Sequence, residues 1–151
     1  MLYLGIVAAG GVFTGTNPGY TQYELVHHIK TAKAKFLITE PEMLGAALAA
    51  GKQCKISHSR TFIFDVLGQD FPEGFKSWEV LLNHGEKDWL RFNDLQAAQN
   101  TTAARMFSSG TTGLPKAAIV SHYNLIAQHE LAYTHKKPYR VSLYMLFTVS
   151  F

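Results

Sequence analysis

The most informative segment of the chain reads Phe107-Ser108-Ser109-Gly110-Thr111-Thr112-Gly113-Leu114-Pro115-Lys116. Glycine lets a backbone direct several N–H groups toward one point, because no Cβ blocks the approach. Such a concavity binds anions, and the Ser and Thr hydroxyls add donors at the same place. Lys116 adds a mobile positive charge suited to a phosphate, and Pro115 stiffens the returning side of the loop. The segment predicts a phosphate-binding loop, and the alternative is a flexible, solvent-exposed turn.

The spacing of this loop differs from that of two common nucleotide-binding motifs. Gly110 and Gly113 are three residues apart, Lys116 lies three beyond Gly113, and Ala117 follows the lysine. The NTPase loop G-x-x-x-x-G-K-[ST] requires the lysine directly after its second glycine, and the dinucleotide fingerprint requires G-x-G-x-x-G. Neither pattern is present, which argues against both of these classes.

The segments on either side of the loop predict two strands and a helix. Residues 103–107 and 117–120 are short runs rich in apolar residues, and the loop connects them. Ser121 follows the second run and is a typical N-cap for a helix. The loop is therefore predicted to lie between two strands.

Residues 21–32 predict a capped amphipathic helix. Thr21 followed by Glu24 is a capping box, in which each side chain bonds to the other's backbone N–H. Apolar residues then recur at helical spacing, which predicts one buried face. The residues of this face are Leu25, Val26, Ile29 and Ala32.

Helices and strands alternate along the first part of the chain. Residues 35–39 predict a strand, residues 42–50 a helix that begins near Pro41 and ends at Gly51, and residues 61–64 a second strand. Such alternation is typical of an α/β fold, a mostly parallel sheet with helices on its faces. Outside this region, we expect residues 2–9 to be the end of a buried helix, residues 12–14 a short strand, residues 78–82 a short helix and residues 88–99 a polar surface connector.

Composition restricts the class of protein. The chain has 151 residues, of which 47% are hydrophobic and 17% charged, a balance typical of a globular domain. Lys and Arg (14) barely exceed Asp and Glu (11) and are scattered, so we expect no nucleic-acid partner. The apolar run over residues 2–12 is too short to span a membrane and has no preceding basic residue, so we expect neither a membrane span nor secretion, with a secretory signal as the minor alternative. The single cysteine, Cys54, favours a reducing compartment.

No metal site is expected from the histidines. His27 and His28 are adjacent on a predicted helix, where neighbouring side chains point in different directions. His129-Glu130 begins the zinc motif H-E-x-x-H, but Tyr133 occupies the position of its second histidine. We therefore predict no shared metal ion at either place.

The segment Ser108–Lys116 is similar to the signature loop of the AMP-forming acyl-CoA synthetases, within the adenylate-forming enzyme family. The resemblance continues in Ser121-His122-Tyr123-Asn124-Leu125, which matches the family's Thr-His-x-Asn-Leu helix start. Upstream, Ala9-Gly10-Gly11 and Asn17-Pro18 resemble a segment of 4-coumarate–CoA ligase-like enzymes. One departure is Ala117, where many members of the family carry glycine.

The resemblance implies a fold, a reaction and a set of binding residues. Members of the family join a carboxylic acid to ATP, with Mg²⁺ on the phosphates, and then pass the acyl group to coenzyme A. The implied fold is that of the family's large N-terminal domain, and the implied location is the cytoplasm or the peroxisome. The residues implied to bind the ATP phosphates, with Gly113 permitting the tight turn, are Ser108, Ser109, Gly110, Thr111, Thr112, Gly113 and Lys116.

The resemblance also indicates which parts of the family's machinery have no counterpart here. The adenine-binding motif, the ribose-binding aspartate and the small C-terminal domain with its catalytic lysine are missing from the sequence. We therefore expect residues 1–151 to be part of an AMP-binding domain, with no catalytic residue, inactive alone and incompletely folded. The alternatives are a non-catalytic remnant that binds nucleotide or a protein, and a piece of a peptide-synthetase adenylation domain. The sequence does not indicate which acid is the substrate.

Overall fold

The computed structural model of the chain describes residues 2–108 and 113–134. Over these residues the α-helices are α1 (Leu2–Ala8), α2 (Gln22–Ala32), α3 (Leu44–Gln53), α4 (Leu95–Asn100) and α5 (His122–Thr134), and the short helix predicted over residues 78–82 is a 3₁₀ helix, Trp78–Leu82. The strands are β1 (Leu37–Thr39), β2 (Thr61–Ile63), β3 (Lys76–Ser77), β4 (Thr102–Ser108) and β5 (Lys116–Ser121). The described residues form two compact units, the first unit with residues 2–13, 88–106 and 118–134 and the second unit with residues 14–87, 107–108 and 113–117.

The second unit contains a three-stranded parallel sheet in the order β1-β2-β3. Leu37 pairs with Thr61, and Ile63 pairs with Ser77. Every residue of β1 and β2 is buried, as is typical of parallel strands covered on both faces. The prediction of a parallel sheet with flanking helices is therefore confirmed. Strand β3 was not predicted, because two polar residues give no periodic signal.

Helix α2 begins at the predicted capping box. The Thr21 hydroxyl accepts a hydrogen bond from the Glu24 N–H (3.3 Å), and the Glu24 carboxylate accepts one from the Thr21 N–H (2.8 Å). These bonds lower the pKa of the Glu24 carboxyl, because they favour its charged form. The helix ends at Lys33, whose left-handed backbone (φ 52°) bonds to the last carbonyls of the helix. The prediction for residues 21–32 is confirmed.

The hydrophobic core of the second unit lies between α2, β1 and α3. Helix α2 contributes its predicted apolar face, and α3 contributes small residues that allow the two helices to approach closely. The buried cluster consists of Leu25, Val26, Ile29, Leu37, Ala47 and Ala50. Burial of apolar surface at roughly 25 cal/mol per Å² is the main term that holds α2 in place.

The predicted end of α3 at Gly51 is wrong. The residues from Pro41 to Met43 form a 3₁₀ turn, and α3 continues from Leu44 through Gly51 to Gln53. Gly51 is buried, and a methyl group there would lie 3.1 Å from Cδ1 of Leu37. This glycine therefore serves the contact between helix and strand, and the helix does not stop at it.

In the first unit, the strand predicted over residues 12–14 is reduced to one bridge. Phe13 pairs in parallel with Ala104. The Phe13 N–H donates to the Ala103 carbonyl (3.0 Å), and its own carbonyl accepts from the Arg105 N–H (2.8 Å). Helix α1 precedes it, but none of its residues is buried and Leu4 is 65% exposed. The prediction of a buried helix end is therefore wrong, because only one edge of this short helix is covered.

The predicted connector over residues 88–99 contains helix α4. Asp94 caps this helix by accepting a hydrogen bond from the Ala97 N–H at 2.8 Å. Ala98 is the buried residue of its inner face. The prediction of a connector without a helix is therefore wrong over residues 95–100. Six residues with one buried alanine give too weak an apolar pattern for a sequence-based prediction.

Strands β4 and β5 form a separate two-stranded sheet and are followed by α5. The connection over residues 109–115 is too short for a parallel crossover, so the pair is antiparallel. The Ser121 hydroxyl accepts a hydrogen bond from the Asn124 N–H (3.2 Å), and the Asn124 side chain accepts one from the Ser121 N–H (3.0 Å). The predictions of two strands around the loop and of Ser121 as a cap are confirmed.

Helices long and apolar enough to cross a bilayer do not occur within residues 2–108 and 113–134.

We expect Thr21→Ala to lower the free energy of unfolding by about 1 kcal/mol, because it removes the acceptor at the N-terminus of α2. Thr31→Ala is the matched control, since Thr31 is an exposed residue of the same helix. Urea unfolding followed by far-ultraviolet circular dichroism measures both. Equal midpoints for the two variants would show that the capping box contributes nothing.

Candidate functional site

The structure describes both ends of the predicted phosphate loop. Ser108 is the last residue of β4 and Lys116 the first residue of β5, so the loop connects two paired strands as predicted. Both side chains are exposed. The four residues at the centre of the loop, Ser109, Gly110, Thr111 and Thr112, lie outside the described residues.

Gly113 and Lys116 are the two predicted loop residues described on its returning side. The φ angle of Gly113 is +149°, in a region that side chains with a Cβ rarely adopt. The Lys116 side chain has neither an ion pair nor a hydrogen bond within the described part of the chain. Pro115, between these two residues, is buried and anchors the returning side of the loop.

His27 of α2 holds that returning side by a hydrogen bond. Its Nε2 lies 3.1 Å from the carbonyl oxygen of Pro115. A carbonyl only accepts, so the Nε2–H of His27 donates, and this fixes the proton on that nitrogen. The bond joins residues that are 88 positions apart in the sequence.

His28, the next residue of α2, contacts the entering side of the loop. Its ring stacks on Phe107, the residue before Ser108, with ring centroids 3.8 Å apart and an interplanar angle of 26°. Its Nε2 and the Thr14 hydroxyl form a 2.9 Å hydrogen bond. The side chain is 2% exposed, and its Nδ1 has no hydrogen-bond partner. Burial, together with the neighbouring His27, lowers the pKa of His28 to about 4, so the ring is neutral at pH 7.

The sequence predicted neither of these two contacts. The prediction that His27 and His28 point in different directions is confirmed, because one bonds to Pro115 and the other stacks on Phe107. The sequence contained one indication of these contacts, because His27 and His28 lie on α2 next to the residues of its predicted core face. Their partners lie far away in the sequence, so no local pattern identifies them.

His122 is a second buried histidine, and it belongs to the first unit. It is the first residue of α5, its N–H donates to the Thr101 carbonyl (3.1 Å), and its ring lies against Phe92 with centroids 4.0 Å apart. Burial lowers the pKa of its imidazole. These contacts connect the start of α5 to the segment before β4.

Two hollows of the second unit lie apart from the predicted loop. Within residues 2–108 and 113–134, no group of three or more His, Cys, Asp or Glu side chains is arranged to hold a metal ion. Two shallow hollows meet at His58, and their walls include Lys52, Lys55 and Lys76. None of the predicted loop residues lines either hollow, so they are separate from the loop.

The geometry defines a class of protein, an α/β fold in which a segment rich in Gly, Ser and Thr connects two paired strands. Comparison with known families gives the same class, because the family model "AMP-binding enzyme" matches residues 1–151. The chain belongs to this family of AMP-binding, adenylate-forming enzymes.

Two curated fungal relatives are similar over most of the chain. A phenylacetyl-CoA ligase, epaB, of Aspergillus niger is 48% identical over 145 residues, which is 94% of this chain and 27% of the relative. An acyl-CoA synthetase, ACTT5, of Alternaria alternata is 49% identical over 134 residues, 89% of this chain and 23% of the relative. The chain thus spans about a quarter of the length of the curated relatives it matches.

A solved structure shows the same fold. The crystal structure of ATP-bound MatB from Rhodopseudomonas palustris is 28% identical and superposes with a TM-score of 0.59. The match covers 84% of this chain and 23% of that protein. The fold expected from the resemblance, an α/β part of the adenylate-forming architecture, is therefore confirmed.

We expect the chain to lose stability as the pH falls from 6.5 toward 4. The folded chain binds a proton at His28 only near pH 4, whereas the unfolded chain binds it near pH 6.5. Between these values the unfolded state binds more protons, so acid favours unfolding. We expect His28→Gln to lose less stability than the wild-type chain over this pH range, because glutamine does not titrate.

Urea midpoints at several pH values between 4 and 7 measure this effect. His84→Gln is the matched control, since His84 is an exposed histidine of the same unit. An identical pH dependence in the wild-type chain and in His28→Gln would contradict the expectation. A nuclear magnetic resonance titration of the His28 ring gives its pKa directly.

Proposed function

We propose that the chain is part of the nucleotide-binding domain of an ATP-dependent acid–CoA ligase, and that its loop binds the phosphates of ATP. The observation that carries the proposal is the glycine-rich loop between β4 and β5, in a chain 48% identical to a phenylacetyl-CoA ligase. The residues assigned to phosphate binding are Ser108, Ser109, Gly110, Thr111, Thr112, Gly113 and Lys116.

The chemistry of adenylation explains why such a loop is needed. A carboxylate attacks the α-phosphorus of ATP, and pyrophosphate leaves. Like charges oppose this attack, so the protein has to neutralise the phosphates and align the two reactants. The exposed Lys116 ammonium supplies positive charge, and the hydroxyl of Ser108 supplies a hydrogen-bond donor at the other end of the loop.

The described ends of the loop also fit a nucleotide bound with Mg²⁺. Residues 107–108 and 113–117 contain no carboxylate that would repel the phosphates. Mg²⁺ prefers oxygen ligands and is commonly held by substrate phosphates together with few protein groups. These loop residues would therefore contact the phosphates, with the ion held mainly by the phosphate oxygens. Coenzyme A would accept the acyl group in a later step.

The proposal for these 151 residues is limited to nucleotide binding. The sequence contains no counterpart of the family's ribose-binding aspartate or catalytic lysine. We therefore expect the chain to bind MgATP without converting a carboxylic acid to its CoA thioester. Release of pyrophosphate that depends on an added acid, measured with and without coenzyme A, would contradict the expected inactivity and leave the phosphate-binding role intact.

We expect Lys116→Met to weaken MgATP binding about tenfold, because a charge-assisted contact with a phosphate contributes on the order of 1.5 kcal/mol. Lys87→Met is the matched control, since Lys87 is another exposed lysine of the same unit. Titration calorimetry with MgATP measures both variants against the wild-type chain.

Two results would contradict the phosphate-loop assignment. One is equal affinity for MgATP in the Lys116→Met and Lys87→Met variants. The other is the absence of heat on titrating MgATP into a folded wild-type chain. Helix content measured by circular dichroism establishes that each variant is folded before its binding is compared.

A further inference from the structure

We propose that His27 and His28 are positioning residues that fix the two ends of the phosphate loop relative to one helix. The proposal rests on the phosphate-binding role given above and adds to it the device that shapes the loop. Neither histidine belongs to the loop. They act from α2, through the residues that directly precede Ser108 and Lys116.

At the exit of the loop, His27 controls the peptide plane of Lys116. Its Nε2–H donates to the Pro115 carbonyl at 3.1 Å. That carbonyl and the Lys116 N–H belong to one planar peptide group, so fixing the oxygen fixes the plane from which Lys116 begins. The direction of the lysine side chain is thereby restricted before any anion binds.

At the entrance, His28 controls the residue before Ser108. The stacked contact of its ring with Phe107 orients the backbone of β4 where the strand leads into the loop. The 2.9 Å hydrogen bond between its Nε2 and Thr14 prevents the ring from rotating away. Since the side chain is 2% exposed and the ring neutral at pH 7, solvent does not compete for these contacts.

The two histidines can serve both ends because they are consecutive on one helix. Successive side chains of an α-helix point about 100° apart, so one helix reaches two separate strands of a hairpin. The capping box and the buried face of Leu25, Val26 and Ile29 hold α2 itself. The separation of the loop ends is therefore set by a rigid element.

The expected benefit of this arrangement is that the ends of the loop are positioned before the ligand binds. A loop of Gly, Ser and Thr loses much conformational entropy when it orders around a ligand. If α2 holds its ends beforehand, less of that cost falls on binding, and affinity rises without any new contact to the ligand. Loosening either end is expected to weaken binding while leaving the helix and the core intact.

The test compares His27→Gln with His27→Asn. The amide nitrogen of glutamine reaches about as far as Nε2 and can still donate to Pro115, whereas the shorter asparagine cannot. We expect His27→Asn to weaken MgATP binding about three- to tenfold, the value of one neutral hydrogen bond. We expect the MgATP affinity of His27→Gln to lie within about threefold of the wild-type value.

A second pair tests His28. His28→Phe retains a ring to stack on Phe107 but loses the bond to Thr14, and His28→Gln retains a polar group but loses the ring. We expect His28→Gln to weaken MgATP binding more than His28→Phe. His84→Leu, in an exposed segment of the same unit, is expected to bind as the wild type does.

Hydrogen exchange of the ligand-free chain separates this proposal from the function on which it rests. Faster exchange in the peptide covering residues 107–117, with α2 and α3 unchanged, is expected in His27→Asn and not in His27→Gln. This result supports the positioning role even if MgATP fails to bind, an outcome that would overturn the proposed function alone. Equal loop exchange in wild type, His27→Asn and His27→Gln would overturn the positioning role.

Discussion

The packing of α2 against β1 and α3 is the constraint on which the rest of the second unit depends. Leu25, Val26 and Ile29 are buried on one side of this helix, opposite the small residues Ala47 and Ala50 of α3. The capping box fixes where the helix begins, and therefore which residues face the core. Once that face is set, His27 and His28 necessarily point toward the strand ends that border the loop.

A loop that binds phosphate has two opposing requirements. It needs glycine and small hydroxyl residues so that its backbone can approach an anion closely, and such residues are flexible. The loop also has to be held in a fixed shape. In this chain, the support for that shape comes from outside the loop. Phe107 and Pro115 are its two anchoring positions, and both are contacted by α2, a helix that the core holds in place. The residues assigned to the loop and the helix that contacts its two ends thus come from segments far apart in the sequence.

Membership of the AMP-binding family places the loop and α2 within one part of a longer type of protein. The chain spans about a quarter of the curated relatives that it matches, and the loop with its α2 support lies within that quarter. The phosphate binding that we propose for this chain uses residues of this part of the fold alone.

Local signals predicted a large part of this structure. The capping box of Thr21 and Glu24, the apolar face of α2, the alternation of helices and strands and the strand–loop–strand motif were all readable, because each leaves a pattern among neighbours in the sequence. The tertiary structure alone decided three other features: Gly51 inside α3, the two-residue strand β3 and the contacts of the histidine pair. Each of these exists only through a partner distant in the sequence, such as Leu37 beside Gly51 or Pro115 beside His27. A linear pattern records spacing along the chain and carries no information about which distant residue will complete a contact.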